Sequence, residues 1–362
     1  MMDNLFADKG VHVVVDGQFG STGKGALCAW LAAEAIKQGV KFDAVVSNAG
    51  PNSGHTFYHN GEKHVLKQLP TFAVASHLMG VTVPVVLSSG AIINLDTLET
   101  ELKKYPDIPV AISATAALIS REDVDSEHSG TVAAVAGTRS GTGAALARKV
   151  LRDREAVIKH SDRVRDLVKN NDVTVSDMGG YPTPQSPFGS RTFVEVSQGF
   201  SLGINQRFYP KVTSRECTVS QALADAGLPP RSVSKTYMTL RTFPIRVGNV
   251  DGHDSGGWYY DQEEISWSDI GVAPELTTVT QRERRIATFS DFQLRLALLA
   301  NDPDWVFVNF LNYLENDSTR SQFLTRIRGT IKNDRKEIGI IEGYGPSSDD
   351  IRTSSIDCHI ST

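Results

Sequence analysis

The sequence predicts an α/β protein, a single large domain whose central, mostly parallel sheet is flanked by helices on both faces. Three observations carry that expectation. Val11 to Val15 is an apolar, β-branched run that reads as a buried strand. It breaks at Asp16-Gly17 into a glycine-rich loop, GQFGSTGKG, which enters a helix near Lys24. Downstream, strand-like and helix-like segments alternate, with no internal repeat and no clear linker between domains.

In chain order, the first helix ends near Gly39, and Ala44 to Ser47 reads as a second strand leading into a polar loop, NAGPNSGHT (48–56). Val83 to Leu87 is a strand, Asp96 to Lys104 a helix capped by Asp96, and Val110 to Ile112 a short strand. Residues 121–145 turn charged and then rich in Gly, Ser, Thr and Ala, with GTRSGTGAA at 137–145: a mobile surface segment or a phosphate loop. Residues 178–191 form a Pro/Gly connection, and Thr192 to Val196 resumes a strand. Asp251 to Gly257 is a further Gly/Asp loop, and TTVTQRERR (277–285) concentrates positive charge. Asp291 to Asn301 is an amphipathic helix, Trp305 to Val308 a strand, Arg320 to Lys332 a helix and Ile338 to Ile341 a final strand.

Composition narrows the function. With 362 residues, 40% of them hydrophobic and 22% charged, the chain has ample core and the balance of a soluble globular protein. A formal charge of -5 argues against a generic nucleic-acid or membrane-surface binder. No apolar run is long enough to cross a bilayer and no signal peptide is visible. Cys28, Cys217 and Cys358 fit no zinc or redox spacing, so a reducing cytoplasm is expected.

The chemistry is expected at the loops. A strand, a glycine-rich loop and a helix N-terminus make an anion cradle, because free N–H groups and the helix dipole favour negative charge and Lys24 adds a cation. It is not a Walker A loop: five residues separate Gly17 from Gly23-Lys24, and Gly25 stands where Ser or Thr would bind magnesium. NAGPNSGHT and EVSQGFSLGINQRFYPKVTS (195–214) also follow or end strands, and ligands of open α/β sheets sit at the carboxyl ends of strands. Among nine histidines, His55 is singled out by Gly54 before it and by the loop upstream, whereas His59 and His64 read as bystanders.

GQFGSTGKG, NSGHT followed by NGEK (60–63) and LP (69–70), SQG with a later VTS, and TTVTQRERR together resemble the adenylosuccinate synthetases, in order and over most of the chain. TTVTQRERRIATFSD is similar to the compact archaeal and phage members, above all the phage enzymes that act on dGMP. The resemblance implies a fold related to the P-loop NTPases, a homodimer in the cytoplasm (the host's, if phage-encoded), and a two-step ligation. A nucleoside triphosphate phosphorylates the purine 6-oxygen with Mg2+, and L-aspartate then displaces phosphate at C6.

Carried over by position, the resemblance gives the triphosphate to Thr22, Gly23, Lys24, Gly25, Gly54, His55 and Thr56, with His55 donating to the transferring phosphoryl group. Asn309, Asn312, Gly345 and Pro346 would hold its base. The purine monophosphate would meet Ser21, Asn52, Thr138, Arg139, Gln198, Thr213 and Arg282, with Arg152 reaching its phosphate from a neighbouring subunit. Thr278, Val279, Thr280, Arg282 and Arg284 would form the aspartate loop, where two guanidinium groups one residue apart suit a dicarboxylate. Ser21 and the Gly54 carbonyl would ligate magnesium.

Two departures from the family direct the choice of substrates. The family loop reads Gly-Asp-Glu-Gly-Lys-Gly, but here it reads Gly20-Ser21-Thr22-Gly23-Lys24-Gly25. A carboxylate packed against purine N1 leaves little room at C2, whereas a small neutral hydroxyl admits an amino group there, as in dGMP. The family reads guanine with Lys-x-Asp, but here Phe310 and Asn312 stand in those places. Losing that acceptor removes discrimination for guanine and makes ATP or dATP the expected donor. The competing readings are an ordinary synthetase using IMP and GTP, an inactive purine-nucleotide sensor, and a generic P-loop kinase.

Overall fold

A computed structural model describes residues 5–6, 8–129, 135, 137–177, 189–250, 252–277, 281–332 and 337–354. Ten of the described strands form one sheet. Their order is Ile351–Thr353, Gly339–Gly343, Trp305–Asn309, Val233–Arg241, Gly10–Asp16 (β1), Arg191–Glu195, Ala44–Ser47, Val85–Leu87, Val110–Ser113 and Val173–Ser176. Every neighbouring pair is parallel except Ile351–Thr353 against Gly339–Gly343. The expected α/β class is therefore the observed one.

β1 lies mid-sheet because both its faces are apolar. Val11, Val13, Val14 and Val15 are all fully buried. Val14 faces the helices Lys24–Lys37 (α1), Thr71–Leu78 and Leu95–Lys104. Val11, Val13 and Val15 face Val219–Ala226, Asp291–Asn301 and Asp317–Ile331. Helices on both faces leave the loops at the strands' carboxyl ends as the place for a site.

His12 interrupts the valine run and is fully buried. Its Nδ1 meets the Tyr237 hydroxyl at 3.1 Å and its Nε2 the Asp8 carbonyl at 3.2 Å. Burial pulls the imidazole down to about 4 from 6.5. The folded state thus binds fewer protons than the unfolded chain between those values, so this contribution is complete above pH 6.5 and is lost as pH falls towards 4. Wild type is expected to lose about 3 kcal/mol of stability over that window from this group. Denaturant titrations of His12→Gln should show that part of the pH dependence removed.

Several expectations need correction. The helix read as starting at Asp96 begins at Leu95, and Asn94 is its cap, accepting from Thr97 N–H; Asp96 sits in the first turn. Val233–Arg241, the strand beside β1, was not expected from the sequence, nor were the helices Thr71–Leu78, Asp162–Asn170 and Val219–Ala226. The strand read as final is followed by Ile351–Thr353. His55 begins a strand, His55–His59, which pairs antiparallel with Glu62–Leu66 rather than sitting in a loop. Within 121–145, helices form at Arg121–Glu127 and from Thr142, while residues 130–134 and 136 lie outside the described residues, as do 178–188 of the Pro/Gly connection. No described helix is long and apolar enough to cross a membrane.

Candidate active site

The carboxyl-end loops enclose a cleft of about 850 Å³. It brings together Ser21, Gly23, Lys24, Gly25, Asn52, Gly54, His55, Thr56, Thr138, Arg139, Gln198, Thr213, Arg284, Asn309, Asn312, Gly345 and Pro346. These positions come from widely separated stretches of the chain, from 21–25 to 345–346. Lys24, Lys63, Arg139, Lys211, Arg246 and Arg284 bring cations to its wall, against the carboxylates Glu127 and Glu275. An acidic chain thus presents a cationic cleft suited to anionic ligands. Burial and the neighbouring Arg285 pull the Arg246 guanidinium down to about 10, which leaves it charged at neutral pH.

The phosphate loop is built around a side chain that sequence reasoning passed over. Asp16, the last residue of β1, accepts from Gln18 N–H at 2.7 Å and Gly20 N–H at 3.2 Å through Oδ1. Its Oδ2 accepts from the Thr22 hydroxyl and from Lys24 Nζ at 3.0 Å. The Thr22 hydroxyl also meets that of Thr239 at 2.5 Å, so this side chain faces inward and does not line the cleft. The expectation that Thr22 meets the triphosphate is thereby limited to its backbone. Lys24 Nζ also donates to the Gln198 carbonyl at 2.8 Å, tying the loop to the segment that carries Gln198. The first N–H groups of any helix lack an intrahelical acceptor. α1 has no side-chain cap and no acid in its first turn, and Gly23, Lys24, Gly25 and Ala26 line the cleft.

Gly25 has a packing reason rather than a metal one. A Cβ there would lie 2.6 Å from the Thr56 carbonyl oxygen and 2.8 Å from its nitrogen. The start of α1 therefore presses against the backbone of the strand that begins with His55. Gly25→Ala is expected to cost ~1–3 kcal/mol of stability and to cut turnover by about 10²-fold through displacement of His55. Melting curves and initial rates on one preparation check both.

His55 Nδ1 is 2.6 Å from Glu195 Oε1, and Glu195 is buried at the end of its strand. Burial pushes the Glu195 carboxyl up, but the His55 ring outweighs it, helped by the Thr71 and Phe72 amides, and the net shift is downward. Glu195 Oε2 accepts from Phe72 N–H at 3.0 Å. His55 Nε2 is buried and has no hydrogen-bond partner among the described residues. In the imidazolium both ring nitrogens are donors: Glu195 takes one and the other is left to donate. Glu195 carried no sequence signal, because it lies 140 residues from His55. The bystanders are placed as expected: His64 meets the Tyr105 hydroxyl at 2.9 Å, His59 bonds Asn60, and neither lines the cleft.

Ser21 is exposed in the cleft with φ 53°, so the space beside its hydroxyl is open. Gln198, at φ 73°, lines the same wall, and its buried Nε2 has no hydrogen-bond partner among the described residues. Thr213 N–H bonds the Leu202 carbonyl at 2.7 Å, and the Thr138 hydroxyl meets that of Ser140 at 3.0 Å. The helix Thr142–Val150 offers no phosphate cradle. Glu127 already accepts from the N–H groups of Gly141, Gly143 and Ala144 at its N-terminus, which corrects that half of the reading of 137–145.

Asn309 is buried against Gly23, with Nδ2 3.4 Å from the Thr22 carbonyl, and Asn312 stands exposed at the cleft. Of the paired arginines, Arg284 lines the cleft and Arg282 does not. Thr278, Val279 and Thr280 lie outside the described residues. Arg152 is exposed just beyond the helix Thr142–Val150 and does not reach the cleft of its own chain.

The donors available to magnesium are oxygens, the Ser21 hydroxyl and the exposed Gly54 carbonyl. No group of three or more His, Cys, Asp and Glu able to hold a metal occurs among the described residues. Such a set fits an ion that keeps waters and takes most of its charge balance from substrate phosphates.

A cationic, multi-loop cleft at the carboxyl edge of a parallel sheet, with an open helix N-terminus and a carboxylate-backed histidine, defines a phosphoryl-transferring nucleotide enzyme. The sequence profile of adenylosuccinate synthetase matches residues 13–178 and 155–319, and the chain belongs to that family of C–N bond-forming ligases. It is 35% identical over 325 residues to the N6-succino-2-amino-2′-deoxyadenylate synthase of Vibrio phage phiVC8, covering 84% of this chain and 87% of that one. The solved cyanophage S-2L succinoaminodeoxyadenylate synthetase, bound to dGMP and dATP as an energy donor, matches with TM-score 0.83 and 31% identity over 96% of this chain and 95% of that one. The fold is also that of Plasmodium falciparum adenylosuccinate synthetase, at TM-score 0.77 and 16% identity over 96% and 100% of the chains.

Proposed function

We propose that the protein joins L-aspartate to C6 of dGMP at the expense of ATP or dATP. The products are N6-succino-2-amino-2′-deoxyadenylate, phosphate and the nucleoside diphosphate. The observation that carries this reading is Ser21: a small, neutral side chain exposed in the cleft where the family places a carboxylate. The similarity to phage enzymes named for the same product, one of them bound to dGMP and dATP, supports it.

In this reading the amides at the start of α1 and Lys24 hold the triphosphate, and Asn309, Asn312, Gly345 and Pro346 surround its base. The Ser21 hydroxyl and the Gly54 carbonyl would hold magnesium, which when bound would supply charge neutralisation at the transferring phosphoryl group. His55 Nε2 donates to the phosphoryl oxygens while Glu195 fixes the ring. Asn52, Thr138, Arg139, Gln198 and Thr213 hold the purine monophosphate. An oxygen of a ligand takes the N1 proton, since Ser21 is no base at neutral pH. Arg284, with the loop that carries Thr278 to Thr280, takes the aspartate carboxylates and aims its amine at C6. Arg152 completes the phosphate subsite of a partner subunit in a homodimer, and the enzyme works in the cytoplasm.

The test is release of ADP, coupled to absorbance, across substrate combinations. Magnesium-dependent release that requires both dGMP and aspartate is expected. Release with IMP but not dGMP overturns the substrate assignment, and nucleotide binding without turnover overturns the enzyme.

A further inference from the structure

Arg241, the last residue of the strand beside β1, is the largest fully buried side chain among the described residues. It does not line the cleft, yet its neighbours do. Nη1 donates to the Ser21 carbonyl at 3.0 Å. Both terminal nitrogens meet Glu275, Nη2 to Oε1 at 2.6 Å and Nη1 to Oε2 at 3.3 Å. The guanidinium lies 4.0 Å above the Phe310 ring and 5.8 Å from that of Tyr313, whose hydroxyl donates to Glu275 Oε1 at 2.9 Å. The Glu275 carbonyl in turn accepts from Arg284 N–H at 2.9 Å. The Arg241 main chain exchanges two bonds with the Gln18 side chain, at 2.9 and 3.2 Å, inside the phosphate loop.

We propose that Arg241 is a positioning residue that sets three subsites together: the Ser21 hydroxyl, the Arg284 end of the dicarboxylate loop, and the Phe310–Tyr313 turn beside the donor base. This rests on the functional reading above, which gives those segments to the purine, aspartate and triphosphate. A planar guanidinium offers a fork to a carboxylate, a further N–H to a carbonyl and a face to a ring at once, whereas an ammonium offers none of that geometry. Ser21 needs such a hold, because φ 53° is a sparsely populated conformation for a residue with a side chain.

The experiment is a double-mutant cycle on the full chain with Arg241→Lys and Glu275→Gln. It reads kcat, the KM for aspartate, dGMP affinity by calorimetry, and melting temperature. Arg241→Lys is expected to lower kcat about 10²-fold and to raise the aspartate KM about tenfold. The double variant should be little worse than Arg241→Lys alone. Multiplying losses, or a lower melting temperature with unchanged kinetic constants, overturn the proposal. If Arg241→Lys does not fold, Tyr313→Phe decides: it removes one hydroxyl from Glu275 and should raise the aspartate KM about fivefold with dGMP affinity kept, and no change overturns the proposal. Wild-type turnover with dGMP is measured first. Should another purine monophosphate prove to be the substrate, the cycle is read on that one, so the two claims fail separately.

Discussion

His55→Ala is expected to lower turnover by about 10²–10³-fold while dGMP and ATP still bind. The prediction follows from an asymmetry in the ring's surroundings. Nδ1 is anchored to Glu195 at 2.6 Å, and Nε2 is buried at the edge of the cleft with no partner among the described residues. On the proposed reading the ring donates to the transferring phosphoryl group, so the loss is expected in kcat rather than in nucleotide affinity. Glu195→Gln should lose about tenfold or more, because an amide replaces the carboxylate that holds Nδ1 at 2.6 Å. Calorimetric titration of ATP and dGMP beside steady-state rates checks this. Equal loss of binding and turnover would mean that His55 supports the loop instead of the chemistry.

Ser21→Asp is the second large effect, an expected fall of about 10²-fold or more in kcat/KM for dGMP, with a gain for IMP. Aspartate tolerates the left-handed backbone at φ 53°, so local folding is not the cause. The cause is the side chain, a charged carboxylate in place of the hydroxyl exposed in the cleft, where the proposed reading puts the purine. The variant should therefore exchange a 2-amino purine for one with hydrogen at C2. A variant that keeps its dGMP rate and gains nothing with IMP would separate position 21 from substrate choice.

What could be read from the chain is what is local along it. The valine run, the glycine loop and the start of α1 adjoin in sequence, and each pattern matches its structure within one or two residues. What escaped is set by distant partners. Val233–Arg241 pairs with β1 along its length, but Lys235, Thr236, Thr239 and Arg241 break its apolar pattern, and the burial of Thr236, Thr239 and Arg241 is settled by the phosphate loop and the neighbouring strands. Thr22 looked like a phosphate ligand and turns inward because Asp16 and Thr239 capture its hydroxyl. Gly141 and Gly143 looked like part of a phosphate loop, and their amides belong to Glu127. One miss did carry a signal: Asn60-Gly61, with φ 49° and 78°, is a hairpin turn flanked by alternating residues, and it makes His55 part of a strand.

The central claim is that the corner beside Ser21 accepts an amino group at purine C2. Comparing kcat/KM for dGMP and dIMP, which differ only in that group, tests it most directly, with aspartate and ATP held constant. The account predicts a preference of about tenfold or more for dGMP. Equal values, or a preference for dIMP, would contradict it.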